Sequence, residues 1–90
     1  MRGLDMATFV IERNFVEQLQ LSADDVRSME DFNKSIGVNW LFSFLSADKK
    51  RTYCIYEAKD PEILMAHAKE LGIPADEIVE VNKLDPSLIV

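Results

Sequence analysis

The chain has 90 residues, with Lys+Arg 10 against Asp+Glu 16 and a formal net charge of −6. That length fits one small domain, and a hydrophobic share of 48% is enough for one modest core and too much for a disordered segment. The acidic balance argues against a phosphate-backbone partner, and the single Cys excludes an internal disulfide and every multi-Cys zinc motif.

Residues 1–5 precede the first patterned segment and are set aside as an N-terminal extension. A first strand is expected over residues 7–14, with Phe9 and Ile11 on one face and Val10, Glu12 and Asn14 on the other. Residues 15–21 form a connector with apolar side chains, part of which should pack down. Ser22 and Asp25 have the spacing of a capping box, which starts a helix over residues 23–36. Val26, Met29, Phe32 or Asn33, and Ile36 follow at helical spacing. Residues 33–35 read as a frayed end, and Gly37 as the residue that closes the helix.

Residues 38–45 are the strongest strand, with Trp40, Phe42 and Phe44 expected on one face and Leu41, Ser43 and Leu45 on the other. Both faces are apolar, so both should be covered. A polar hairpin over residues 46–50 leads to a third strand over 51–58, where Tyr53, Ile55 and Glu57 alternate with Cys54, Tyr56 and Ala58. Asp60, Pro61 and Glu62 open a second helix, and Gly72 with Pro74 ends it. Ile63, Leu64, His67, Ala68 and Leu71 share an apolar arc of about 140° at about 100° per residue. A last strand is expected over residues 78–83. Residues 85–90 form a tail with an apolar end, outside a single domain over 6–84.

The resulting order is β-α-β-β-α-β. It predicts an α+β, ferredoxin-like fold: a four-stranded antiparallel sheet with two helices on one face and strands one and three in the centre. The other sheet face keeps apolar side chains, and a second copy of the chain is the economical cover. No signal-peptide pattern and no run near the roughly 20 apolar residues of a membrane helix appear. A cytoplasmic protein with no membrane or nucleic-acid partner is the expectation.

His67 is the only histidine and lies where another aliphatic residue would be expected. A buried imidazole either packs with one hydrogen bond, the commoner case, or ligates a metal. Glu12, Tyr56 and Cys54 are the candidate neighbours. Cys54 is a core thiol by default, and strand-end acids such as Glu12 and Glu57 are usually solvated. Together His67, Glu12, Glu57 and Cys54 form a mixed donor set suited to Ni, Zn or Co. Cys54 and Glu57 have opposite parity, so all four cannot converge on one ion. Metal binding through His67 would weaken below the ordinary imidazole pKa of about 6.5. No nucleophile elbow or Gly-rich phosphate loop is present. The run Lys49-Lys50-Arg51 reads as a solvated turn. Trp40, Tyr53 and Tyr56 are pocket candidates that more often serve as core.

Three stretches resemble a small bacterial family of domains of unknown function named for a nickel-binding protein. They are Phe9-Val10-Ile11-Glu12-Arg13, Tyr53-Cys54-Ile55-Tyr56-Glu57-Ala58 followed by His67, and Gly72-Ile73-Pro74-Ala75-Asp76-Glu77-Ile78. The resemblance covers nearly the whole chain from Met6. It implies a ferredoxin-like α/β sandwich that dimerises, with nickel or another divalent transition metal as the candidate ligand. The expected function is therefore a small dimeric binding protein. A cofactor-free enzyme on the same scaffold is the second reading, and a plain dimerisation or small-ligand sensing module the third.

Overall fold

The computed structural model describes residues 6–89. Strand β1 is Ala7–Asn14. Helix α1, Ala23–Ser35, starts at Ser22, whose Oγ accepts from the Asp25 amide at 3.0 Å while the Ser22 amide donates to the Asp25 carboxylate at 3.0 Å. This reciprocal cap satisfies two backbone donors that a helix start leaves open. The helix stays intact through residues 33–35, where fraying was expected, because Asn33 is buried under the second helix. Strand β2 is Asn39–Leu45 and β3 is Arg51–Ala58. Helix α2, Pro61–Leu71, is capped by Asp60, whose Oδ1 accepts from the Ile63 amide at 3.0 Å. Gly72 ends it at φ 68°, a left-handed conformation that glycine adopts freely. Strand β4 is Glu77–Val81, and the short helix α3, Pro86–Ile89, follows where only a tail was expected. Val90 and the side chains of Leu88 and Ile89, the apolar end of that tail, lie outside the described residues.

The order β-α-β-β-α-β folds as an α+β, ferredoxin-like domain. The sheet has four strands in the order β2-β3-β1-β4, antiparallel at every pairing, with β1 and β3 central as predicted. Period-two alternation splits the two central strands cleanly. Phe9, Ile11 and Arg13 of β1, with Thr52, Cys54, Tyr56 and Ala58 of β3, are buried on the inner face. Both helices cover this face: Leu64, His67 and Ala68 of α2 and Asn33 of α1 are buried there.

Strand β2 departs from its predicted parity. Trp40 pairs with Tyr56, but Phe42, two residues on, pairs with Ile55, so the register shifts at Leu41. A β-bulge puts one extra residue in the strand and reverses the facing beyond it. Trp40 therefore turns inward and stacks on Tyr56, ring centroids 6.5 Å apart. Phe42 and Phe44 point outward instead, edge to face at 5.5 Å. The expected common face of Trp40, Phe42 and Phe44 does not exist. The outer face carries Phe42 and Phe44, 52% and 63% exposed, beside Tyr53, Ile55, Val10 and Val79.

Candidate functional site

The inner face is not uniformly apolar. His67, Asn33 and Arg13 are 1%, 1% and 2% exposed. His67 Nε2 hydrogen-bonds to Asn33 Oδ1, which makes Nε2 the protonated nitrogen. Its Nδ1 is buried with no hydrogen-bond partner among the described residues. The ring is held between Phe32, stacked at 5.5 Å, and Tyr56, edge-on at 5.5 Å. Burial, aided by the Arg13 charge, pushes the imidazole pKa down to about 4. The partner of His67 is thus an α1 amide, not Glu12 or Cys54; Tyr56 contributes its ring.

Arg13 shares the parity of Phe9 and Ile11, and that parity carries its guanidinium under the helices. Nη1 donates to the Pro74 carbonyl at 2.6 Å and Nη2 to the Tyr56 hydroxyl at 3.4 Å. The guanidinium also lies 5.8 Å from the centroid of the Tyr56 ring. No carboxylate pairs with it among the described residues. Burial raises the Tyr56 hydroxyl pKa, opposed in part by Arg13, so that hydroxyl stays protonated.

Above this layer lies a cavity of about 230 Å³. The connector after β1 forms one wall, fixed by backbone bonds from Phe15 to Lys50 at 2.8 Å and from Leu19 to Lys49 at 2.7 Å. Phe15, Leu19 and Leu21 of the connector, Met29 of α1, and Trp40 and Leu45 of β2 supply the apolar lining. Arg13, Thr52, Cys54 and Tyr56 lie at the sheet side. Trp40 Nε1 donates to Ser43 Oγ at 2.8 Å, so the indole is satisfied within the wall. Of the aromatic pocket candidates, Trp40 and Tyr56 meet here and Tyr53 lies on the outer face. His67 is not part of the wall.

The four predicted metal donors are divided by the sheet. Cys54, whose Sγ sits 3.5 Å from Thr52 Oγ1, and His67 belong to the inner side. Glu12 and Glu57 belong to the outer face. Glu57 pairs with Thr8, four residues before Glu12 on β1, which separates the two acids by roughly 14 Å at about 3.4 Å per residue. Glu12 faces Arg51 at 3.8 Å, and Glu57 accepts from Asn39 at 3.5 Å. Among the described residues no three His, Cys, Asp or Glu side chains come together as a metal cluster. Within one subunit these donors do not fit a nickel centre, which needs several converging ligands.

No curated protein matches the chain. Among solved structures, the crystal structure of SCO4226 from Streptomyces coelicolor A3(2) superposes with a TM-score of 0.67 at 19% identity, covering 88% of this chain and 100% of that one. At that identity the likeness shows the fold. Residues 9–81 match the model of a family described as "Nickel responsive protein SCO4226-like". That match takes in both long helices, the cavity wall and all of the sheet but the first two residues of β1, and the chain belongs to the SCO4226-like family.

Proposed function

We propose that the chain is a small binding protein that works as a homodimer and holds a small, largely apolar molecule in the cavity between the connector, α1 and the sheet. The cavity carries the reading: a concave space lined predominantly by apolar side chains is the usual form of a small-molecule site. Its volume of about 230 Å³ lies below the range of about 300–1,000 Å³ typical of drug-sized ligands, so the ligand is correspondingly small. The apolar outer face, with Phe44 at its edge, supports a second copy as the partner. The family description speaks of nickel responsiveness. Nickel is not the ligand in this reading, because the sheet divides the donors and the free His67 nitrogen has no companion ligands among the described residues. An enzyme is disfavoured because His67 stands behind Tyr56 and outside the cavity wall.

Trp40 is the only tryptophan and lines the cavity, so its fluorescence reports occupancy. Titration with small aromatic and aliphatic fragments is expected to shift Trp40 emission saturably and to raise the melting temperature. Nickel titrated by calorimetry into tag-free protein is expected to give no specific heat. Fragments that leave Trp40 and the melting temperature unchanged, together with tight nickel binding, would overturn the proposal.

A further inference from the structure

The cavity between the connector, α1 and the sheet presents almost no polar surface. The polar residues around it are bonded to their own neighbours. Trp40 Nε1 donates to Ser43 Oγ at 2.8 Å, and Cys54 Sγ to Thr52 Oγ1 at 3.5 Å. Arg13 is turned to the Pro74 carbonyl at 2.6 Å and the Tyr56 hydroxyl at 3.4 Å. Phe15, Leu19, Leu21 and Leu45 add side chains that cannot hydrogen-bond, and Met29 adds only a weakly accepting thioether. A guest in this space leaves its water behind and meets walls that offer little in exchange. Each hydroxyl or amide it carries in unpaired weakens binding by roughly 5- to 150-fold, and a charge does so by more.

Size sets the other bound. At the packing density of a protein interior, about 0.75, a volume of about 230 Å³ holds roughly 170 Å³ of guest, on the order of ten carbon atoms. Resting on the cavity reading above, we propose that the ligand is a compact, uncharged hydrocarbon of about this size that carries no hydrogen-bonding group. It is drawn from water by burial of its apolar surface. Selection works by rejection: a polar relative of the same shape is turned away by the hydration it would forfeit, not by a clash. Met29, unbranched and polarizable, adapts the wall to the guest's outline.

The test uses naphthalene and its derivatives 2-naphthol and 2-naphthoate, titrated into the unaltered chain and followed by amide-shift mapping. Naphthalene is expected to bind saturably and to move the amides of Leu19, Leu21, Met29, Trp40 and Cys54. 2-Naphthol is expected to bind at least about fivefold more weakly, and 2-naphthoate more weakly still. Either derivative binding at the same amides within about fivefold of naphthalene, or more tightly, would overturn the hydrocarbon assignment and leave the cavity reading standing. No saturable shift at those amides with any of the compounds would overturn both. So would shifts confined to Phe42, Phe44 and Ile55, which would place the hydrocarbon on the outer face of the sheet.

Discussion

A single nitrogen shows how burial sets chemistry at the residue scale. His67 packs between Phe32 and Tyr56 with Nε2 committed to Asn33 and Nδ1 bare. Its pKa is pushed from 6.5 down to about 4, first by burial and then by Arg13. An unfolded chain takes up this proton below about 6.5, while the folded chain refuses it until about 4. Folding stability therefore rises with pH through that window, is complete above it, and is lost as pH falls toward 4. The lowered carboxyl pKa values of Asp25, Asp48 and Asp85, each caused chiefly by hydrogen bonds to serine, act in a more acid range. We expect urea unfolding at pH 7 and pH 4.5 to differ by on the order of 2 kcal/mol through His67. His67→Gln, which keeps a donor for Asn33 and removes the titration, should show a much smaller difference. An equal pH response in the two proteins would mean that the imidazole is solvated. The apolar arc of α2 places His67 over the sheet from sequence alone. Its partner is less legible: Asn33 stands two residues from a helix end, where polar residues usually face water, and only packing of α1 against α2 shows otherwise. Arg13 is legible in part. The i, i+2 rule groups it with Phe9 and Ile11, but a charged residue one position from a strand end ordinarily reads as solvated.

At the scale of elements, helix caps transmit their meaning through sequence and sheets do so only while their register is regular. Ser22 with Asp25, Asp60 with Pro61, and Gly72 fix both helices because each acts within a few residues of itself. The facing of β2 depends on a bulge opposite another strand, and no residue between Asn39 and Leu45 announces it. Leu41 is the residue on which the two facings turn. Deleting it should restore a regular register that keeps Trp40 inward opposite Tyr56 and Phe42 outward opposite Ile55, because adjacent residues of a strand face opposite ways. The stacked pair with Tyr56 and the cavity wall that Trp40 supplies would stay in place. We expect Trp40 emission in the deletion variant to stay close to that of the unaltered chain. Emission shifted toward that of a solvated indole would mean that Trp40 has left the inner face and that Leu41 is not the extra residue.

The whole molecule has one sheet face finished by helices and one left open. Phe42, Phe44 and Val79 are 52%, 63% and 46% exposed, and Tyr53, Ile55 and Val10 lie between them. A contiguous apolar face on a chain with a net charge of −6 is poorly explained by solubility, and charge repulsion opposes random association. A second copy laid face to face under a two-fold axis would bury the same side chains on both subunits, as an isologous interface does. Rims at opposite corners suit that symmetry: Arg51 with Glu12 at one end of the sheet, Glu57 with Asn39 at the other. An obligate interface of this kind would bury roughly 2,000 Å² or more. Phe44→Asp places a charge within it without touching the inner core, because Phe44 faces away from Cys54 and Tyr56. Sedimentation at micromolar concentration should give the unaltered chain a mass near twice 10.3 kDa and the variant a mass near 10.3 kDa, with the helical circular dichroism of the two alike. Loss of the dimer should leave the cavity intact, since its walls come from one subunit, so Trp40 should respond to ligand equally in both proteins. An unaltered chain that sediments as a monomer would refute the homodimer and with it the explanation of the open face.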